Sequence, residues 1–355
     1  MNISLQNFVS TQLSFFEQHK KVAVFGAGNG GQQVIEWLHK SNIEVVRIYD
    51  NDEKKQGKQV LGIEICTPTM KIINDHPVVI ASTWNKEIVK QLELLDCKHV
   101  TDASITGLSN TPLSPNWLEQ LDWLTNRVAD DASLNVLQNI ANYLHQHGGH
   151  FPMSDYPQYI HPKSVLNKQG VIIDGGAFDG DSTIELADKL TSSAKIVAFE
   201  PDIENLKHLM KNVALREDSC RFELIEKGLW NEETVLSFNS SSLVQGAACA
   251  LTAEGDIKVK VIDIDSFSAA KNYSVSMIKM DIEGAEHQAL QGAQHTIKQH
   301  RPVLAICLYH FFDDLWRLPR FIDSLDVEYT FYIGHHLDNW FETVLYAIPL
   351  PAQSA

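Results

Sequence analysis

Apolar and polar residues along the chain alternate between strand-like and helix-like spacing. Short β-rich runs stand at 21–25, 45–50 and 78–82, and the helical pattern QQVIEWLHK (32–40) lies between the first two. Strands that alternate with helices in this way predict βαβ units and a parallel sheet. An amphipathic helix is predicted over residues 1–19, and the first unit extends to about residue 108.

A change of composition marks the end of this unit. The segment SITGLSNTPLSPN (104–116) is rich in loop-forming residues. Helical spacing follows over 115–127 and again from Leu134 to Leu144, ending at Gly148-Gly149. We therefore predict a domain over residues 1–110, a helical linker over 111–160 and a second domain over 161–350, which agrees with two domains for 355 residues.

A second series of β-rich runs begins after the linker. Its predicted strands are 171–176, 195–200, 221–226, 276–281, 302–309, 329–334 and 343–349, and an inserted pair is predicted at 234–238 and 257–264. The fold class is therefore α/β, with an N-terminal Rossmann-like domain, a helical linker and a C-terminal α/β domain.

Charge and cysteine content exclude several classes of protein. The net charge is −16, so the surface lacks the basic face that nucleic acid or an anionic membrane needs. The five cysteines form no C-x-x-C pair, which argues against a disulfide framework or structural zinc. No secretory signal begins the chain, and no apolar run approaches the ~20 residues of a membrane helix. We expect a soluble, cytoplasmic protein without membrane insertion.

The first motif with chemical content is Gly26-x-Gly28-x-x-Gly31, between a strand and a helix. Glycines at this spacing allow a tight turn and let a phosphate approach free N–H groups at the helix start. Asp50 ends the next strand, where a carboxylate accepts hydrogen bonds from ribose hydroxyls. The pattern fits a second nucleotide site and equally a Rossmann-type domain kept for its shape.

The second motif runs from Asp174 to Asp181 and is followed by a predicted helix. Its candidate cofactor-binding residues, together with the end of the next strand, are Asp174, Gly175, Gly176, Ala177, Phe178, Gly180, Glu200 and Pro201. Acidic residues among the glycines would repel a pyrophosphate and favour a cationic ligand. S-adenosylmethionine carries a sulfonium and an ammonium, and its ribose hydroxyls suit Glu200.

Further polar residues follow two later strands. Asp281 ends the run IKMD, and Glu283 and Glu286 follow it, where acidic residues also suit a helix dipole. Because open parallel sheets bind ligands at the carboxyl ends of their strands, Asp281 is expected to face the same crevice as Glu200. Carboxylates without a paired histidine at ligand spacing predict no metal site. Among the 15 histidines, His310 is the candidate functional residue, because it directly follows a predicted buried strand.

Residues from about 130 to 348 resemble the FkbM-type family of S-adenosylmethionine-dependent methyltransferases. The segments that carry the resemblance include VIIDGGAFDGDST (171–183), VAFEPDIENL (197–206), KGLW (227–230), MIKMDIEGAEHQALQGA (277–293) and RPVLAICLYHFFDDLWRLP (301–319). The resemblance implies a seven-stranded class I methyltransferase fold and O-methylation. It also implies that Asp174, Gly176, Phe178, Glu200, Gly228 and Asp281 line the cofactor crevice, which Tyr159 covers.

Residues 20–105 resemble the small Rossmann-type domain that precedes sugar acyltransferases of the PglD kind. The matching segments are KKVAVFGAGNGGQQV and VRIYDNDEKKQGKQVLGIEI. The hexapeptide β-helix that performs acyl transfer in that family is missing, so the resemblance implies only a nucleotide-sugar or glycan context.

The expected reaction is methylation of a hydroxyl on a sugar, nucleotide sugar or glycan-related small molecule. A sugar hydroxyl needs a base, for which we predict His310, with Asp281 as the alternative base or as its orienting partner. Two rival functions stay open: a nicotinamide-dependent oxidoreductase that uses the Gly26 turn, and a non-catalytic scaffold in polysaccharide biosynthesis. The expected partner is a small-molecule or glycan acceptor, and the oligomeric state, a homo-oligomer included, is open.

Overall fold

The structure is a computed structural model, which describes residues 4–165, 170–189, 194–214, 216, 220–238 and 257–351. It contains two α/β sheets joined by a layer of helices, as the apolar pattern predicts. The central strands of each sheet are short, mainly apolar and buried on both faces, a pattern typical of parallel sheets covered by helices.

The N-terminal sheet has six strands in the order β3-β4-β2-β1-β5-β6. The strands are β1 (Lys21–Phe25), β2 (Glu44–Tyr49), β3 (Gln59–Val60), β4 (Ile63–Cys66), β5 (Val78–Ile80) and β6 (Val100–Asp102). All pairs are parallel except β3 with β4. The motif analysis missed β3, β4 and β6, because none of them is longer than four residues.

Helices cover this sheet and lead into the second domain. They are α1 (Leu5–Gln18), α2 (Asn29–Lys40), α3 (Asn85–Leu94), α4 (Asn116–Arg127) and α5 (Asp131–His145). Helix α1 packs against α4 and α5, and α5 packs against a strand of the second domain. The two helices predicted as the linker therefore contact both halves of the molecule.

The C-terminal sheet has seven strands in the order β15-β16-β14-β13-β7-β8-β9. They are β7 (Val171–Gly175), β8 (Lys195–Phe199), β9 (Arg221–Ile225), β13 (Val275–Met280), β14 (Val303–Cys307), β15 (Tyr329–His335) and β16 (Thr343–Pro349). Strand β16 is antiparallel to both of its neighbours, β14 and β15, and the other pairs of this sheet are parallel. This topology, with an antiparallel strand inserted near one edge of a parallel sheet, confirms the predicted class I methyltransferase fold.

A small sheet of β10 (Gly228–Leu229), β11 (Thr234–Phe238) and β12 (Ile257–Ile262) forms the predicted insertion. Strand β12 ends two residues earlier than predicted, because the Asp263 side chain accepts a hydrogen bond from the Ser266 N–H and caps α8 (Ile264–Lys271). The other helices of this domain are α6 (Asp181–Ala187), α7 (Ile203–Ala214), α9 (Glu286–Gln291), α10 (Gln294–His300) and α11 (Asp314–Asp323).

One buried carboxylate joins the two halves of the chain. Asp313, which is fully buried, precedes α11 and accepts hydrogen bonds from the backbone N–H groups of Asn110 and Thr111 at 3.0 and 3.1 Å. Beside it, the Trp117 ring contacts the Trp316 ring, with 5.1 Å between centroids. These contacts hold the polar loop 104–116 against the second domain.

The sequence also led to expectations about membrane insertion and disulfide bonds. No helix in the described part of the chain has the length and apolar character needed to cross a membrane. Cys66, Cys97, Cys220 and Cys307 are free thiols, whereas Cys249 lies outside the described residues.

Candidate active site

The acidic, glycine-rich turn lies between β7 and α6, at the carboxyl edge of the C-terminal sheet. Gly176 has φ +72°, and a Cβ atom there would lie 1.8 Å from the carbonyl oxygen of Asp281. Only glycine allows the turn to approach the end of β13 so closely. The turn is also tied to β8, because the N–H groups of Gly176 and Ala177 both donate to the carbonyl oxygen of Phe199.

The side chain of Asp174 points into the protein. Its Oδ2 accepts hydrogen bonds from the hydroxyls of Thr183 at 2.6 Å and Ser182 at 3.2 Å. Its Oδ1 lies 3.0 Å from the Nζ of Lys279, and both side chains are almost completely buried. The carboxylate of Asp174 is thus held by groups of its own domain, and its place beside a cofactor stays a prediction.

Glu200 directly follows β8 and lies across the turn from Asp174. Its Oε2 accepts a hydrogen bond from the Phe178 N–H, and its Oε1 accepts one from the Asp202 N–H, both at 2.9 Å. Burial raises the pKa of Glu200. Phe178 has φ +48° and keeps 56% of its surface exposed, so its ring stands at the rim of the crevice.

The remaining residues predicted around the cofactor lie beside the same turn. Gly180 has a left-handed conformation and begins α6, and Ala177 is fully buried. Gly228 lies on β10, where a Cβ atom would be 3.9 Å from the Cγ of Pro201. The fold therefore brings the segments 174–180, 200–201 and 228 together at one edge of the sheet.

Asp281 directly follows β13 and accepts hydrogen bonds from two tyrosines. The Tyr309 hydroxyl donates to its Oδ1 at 2.7 Å, and the Tyr159 hydroxyl donates to its Oδ2 at 2.9 Å. Burial alone would raise the pKa of Asp281, but the positive charges of Lys279 and His310 and these hydrogen bonds lower it. Tyr159 is itself buried beside Asp281, and its role as a cover of the cofactor crevice stays a prediction.

His310 follows β14 and lies among carboxylates. Its Nδ1 is 3.1 Å from the Oε1 of Glu286, and its Nε2 is 3.5 Å from the Oδ1 of Asp281 and 3.7 Å from the Oε2 of Glu283. Burial opposes the charged ring, but these three carboxylates outweigh it and raise the pKa of His310 to about 10. The imidazole therefore holds a proton at neutral pH.

The N-terminal glycine motif forms the predicted turn between β1 and α2. Gly26 has φ +127°, and a Cβ atom there would lie 2.4 Å from the Ala81 carbonyl oxygen, whereas the space beside Gly28 is open. A Cβ atom at Gly31 would collide with the carbonyl of Gly26. Asp50 already accepts hydrogen bonds from the Ala27 N–H at 2.9 Å and the Lys55 Nζ at 3.0 Å. The second nucleotide site stays a prediction.

Sequence reasoning missed several residues that build the C-terminal site. Lys279 is the clearest example, since its Nζ also donates to the carbonyls of Gly175 at 3.2 Å and Gly176 at 2.7 Å. The available signal was a lysine inside an otherwise apolar, buried strand, which requires a buried partner. Ser182 and Thr183 carried no comparable signal, because hydroxyl residues are common in turns.

Comparison with known proteins identifies the class of the C-terminal domain. Residues 174–342 match the family model described as "Methyltransferase FkbM domain". The C-terminal fold is thus that of a class I methyltransferase. More narrowly, this part of the chain is similar to the methyltransferase domain of the FkbM family. Residues 18–100 match a second model, described as "C2185-like, N-terminal".

Solved structures show that both halves of the fold occur together elsewhere. The crystal structure of methyltransferase FkbM from Methylobacillus flagellatus KT is 19% identical and has a TM-score of 0.58, over 98% of this chain and 94% of that chain. UDP-D-quinovosamine 4-dehydrogenase from Vibrio fischeri is 30% identical over 24% of this chain and 75% of that one, with a TM-score of 0.20. A SAM-dependent methyltransferase from Aquifex aeolicus is 12% identical over 52% of this chain and 85% of that one, with a TM-score of 0.31. A search of the curated proteins found no match.

Proposed function

We propose that this protein transfers the methyl group of S-adenosylmethionine to a hydroxyl of a sugar, nucleotide sugar or glycan-related small molecule. One observation carries the proposal. Glu200, Asp281 and His310 follow three parallel strands of one sheet, β8, β13 and β14. Because the carboxyl ends of parallel strands share one edge, a donor held at Glu200 meets an acceptor held at Asp281 and His310.

The turn and Glu200 suit the donor. The Oε2 of Glu200 accepts one hydrogen bond, from the Phe178 N–H, and keeps a second lone pair for a ribose hydroxyl. Its Oε1 accepts hydrogen bonds from the Asp202 N–H and the Asn205 side-chain amide. The exposed Phe178 ring offers an apolar surface at the rim. The acidic residues around the crevice attract a sulfonium and an ammonium, whereas they would repel a pyrophosphate.

Methyl transfer forms a bond between the acceptor oxygen and the methyl carbon as the carbon–sulfur bond breaks. The electron pair of that bond stays on sulfur, which becomes a neutral thioether, and the hydroxyl proton leaves for a base. Most of the protein's contribution is positioning, because the acceptor oxygen must lie about 3–3.5 Å from the methyl carbon and in line with the bond that breaks.

We propose that the pair of Asp281 and His310 receives the acceptor hydroxyl. Their side chains are 3.5 Å apart, and Asp281 keeps 22% of its side chain exposed, so one side of the pair is open. The charged His310 ring donates a hydrogen bond to the acceptor oxygen and stabilises its developing negative charge. The ionised Asp281 is the member of the pair that accepts a proton at neutral pH.

The acceptor side of the crevice favours a neutral group at the reacting position. Asp281, Glu283 and Glu342 all bear carboxylates here, and the charge of Glu342 helps to raise the pKa of Tyr309. An anionic acceptor would be repelled at this distance. A sugar hydroxyl carries no charge, and the diphosphate of a nucleotide sugar would have to lie away from these carboxylates.

The test is transfer of labelled methyl groups into an extract of cells that lack this protein, followed by mass analysis of the labelled product. The proposal predicts one class of labelled, base-stable methyl ether. His310→Gln should lower turnover by roughly 100-fold or more, because it removes the charge and the proton-carrying ring. Full turnover by His310→Gln at saturating substrate would show that His310 has no role in the reaction.

Parallel binding experiments separate the rival functions. Binding of S-adenosylhomocysteine without binding of a nicotinamide cofactor favours the methyltransferase over an oxidoreductase. Normal binding of S-adenosylhomocysteine with no methyl transfer to any sugar pool would instead favour a scaffold.

A further inference from the structure

Three side chains from different elements converge beside the proposed acceptor position. Asp281 follows β13, Glu286 begins α9, and His310 follows β14. Each of them offers one ligand atom, and these atoms lie within 4.8 Å of one another. Metal–ligand bonds of about 2.0–2.2 Å place ligand atoms at most about 4.4 Å apart, so a small movement of these side chains closes the site.

Glu286 provides an independent indication of a ligand site. The residue is 1% exposed, and its Oε1 accepts a hydrogen bond from the Ile282 N–H at 2.8 Å. Its Oε2 is buried and has no hydrogen-bond partner. Buried carboxylate oxygens are normally paired, so this oxygen is available to a ligand.

His310 gives the same indication from the other side of the cluster. Its side chain is 9% exposed, and both ring nitrogens lie near carboxylates. Neither nitrogen, however, meets the geometry of a hydrogen bond. The cluster therefore combines a buried imidazole, whose nitrogens are not aligned for hydrogen bonds, with carboxylates, and these are the ligand types of a metal site.

We propose that Asp281, Glu286 and His310 bind a divalent first-row transition-metal ion. Carboxylates suit Mg²⁺, Ca²⁺ and Mn²⁺, whereas an imidazole nitrogen favours ions such as Fe²⁺ and Zn²⁺, so this mixed ligand set suits a first-row transition-metal ion. Binding displaces the proton from the ring of His310, because a metal-bound histidine is neutral, so in the metal-bound protein the ion replaces the charged ring as the positive group beside the acceptor oxygen. The open side of Asp281 leaves coordination positions for water or for an acceptor oxygen.

The role of the ion rests on the proposed function, although its binding does not. An acceptor hydroxyl that coordinates the ion loses its proton more readily, since the metal acts as a Lewis acid. The charge of the ion also partly neutralises the carboxylates beside the site. This reduces their repulsion of an acceptor oxygen that develops negative charge.

The test is a titration of the full-length protein with Mn²⁺, followed by electron paramagnetic resonance of the free ion. We expect one Mn²⁺ per chain in the wild type. Glu286→Gln keeps the shape of the side chain and should weaken binding by at least about 10-fold. The control is Glu342→Gln, which removes a nearby carboxylate outside the ligand set and should change the affinity by less than about threefold.

Several results would overturn the site. One is no saturable Mn²⁺ binding at millimolar concentration, and another is equal affinity in the wild type and Glu286→Gln. If Glu286→Gln does not fold, Asp281→Asn replaces it with the same expectation. Titration of the same samples with S-adenosylhomocysteine keeps the two proposals apart: Mn²⁺ binding without it leaves the metal site standing and contradicts the methyltransferase, and the reverse contradicts only the metal site.

Discussion

The Nζ of Lys279 lies 3.0 Å from the Oδ1 of Asp174, and both side chains are buried. Because Lys279 also donates to the carbonyls of Gly175 and Gly176, one ammonium group fixes the backbone of the glycine-rich turn. Its charge also helps to lower the pKa of Asp281 on the acceptor side. This buried ion pair therefore connects the proposed donor and acceptor halves of the site.

Lys279→Met should destabilise the protein by about 3–5 kcal/mol, because it leaves the buried Asp174 carboxylate without its cation. The measurement is equilibrium unfolding in urea. The double variant Asp174→Asn/Lys279→Met should recover part of this loss, since no uncompensated charge remains. A double variant that loses the sum of the two single effects would contradict the pairing.

Asp313→Ala should weaken the contact between the two halves of the chain. Its carboxylate accepts hydrogen bonds from the backbone N–H groups of Asn110 and Thr111, and the substitution removes both of these charge-assisted hydrogen bonds. We expect a loss of about 2–4 kcal/mol in urea unfolding and faster proteolysis within residues 104–116. The control is Asp323→Ala, which breaks a partly exposed pair with Arg127 and should cost less than about 1 kcal/mol. Equal effects of the two substitutions would contradict this account.

The stability of the protein should fall as the pH drops from about 6.5 to about 4. Burial lowers the pKa of His335 to about 4, against weaker opposing effects of hydrogen bonds to backbone carbonyls and the charge of Asp338. Between these two pH values the unfolded chain binds a proton that the folded chain does not, so acid favours unfolding. The full difference of about 2.5 pKa units corresponds to about 3 kcal/mol of unfolding free energy.

His335→Gln tests this origin, because glutamine does not titrate. Its free energy of unfolding should depend less on pH across that window than the wild type does. The ring of His335 stacks on Phe151 with 3.6 Å between centroids, so the variant will also lose some stability at neutral pH. If the free energy of unfolding changes equally with pH in the two proteins, His335 is not the origin of the acid sensitivity. His336, whose pKa is also lowered by burial, is then the next candidate.

The strands at the centre of the C-terminal sheet could be predicted because each is a continuous apolar run. β7, β13 and β14 are buried on both faces, and parallel sheets produce this pattern. The hairpin of β3 and β4 could not be predicted in the same way. Its strands are short and partly exposed, so their residues show no clear period.

Only those residues of the candidate site that follow a strand could be predicted from the sequence. Glu200, Asp281 and His310 were found because each follows an apolar run. The approach of His310 to Glu286 depends on how α9 packs beside β14, which the spacing of residues along the chain does not encode. For this reason the sequence predicted no metal site, whereas the proposal above rests on three residues that only the fold brings together.

The most direct test of the account is calorimetric titration of the protein with S-adenosylhomocysteine. We expect one bound molecule per chain and an affinity roughly 10–100-fold lower in Glu200→Gln, because a charged acceptor for the ribose hydroxyls becomes neutral. Asp50→Asn, which changes the corresponding carboxylate of the N-terminal domain, should bind as the wild type does. No binding to the wild type, or loss of binding in Asp50→Asn but not in Glu200→Gln, would contradict the account.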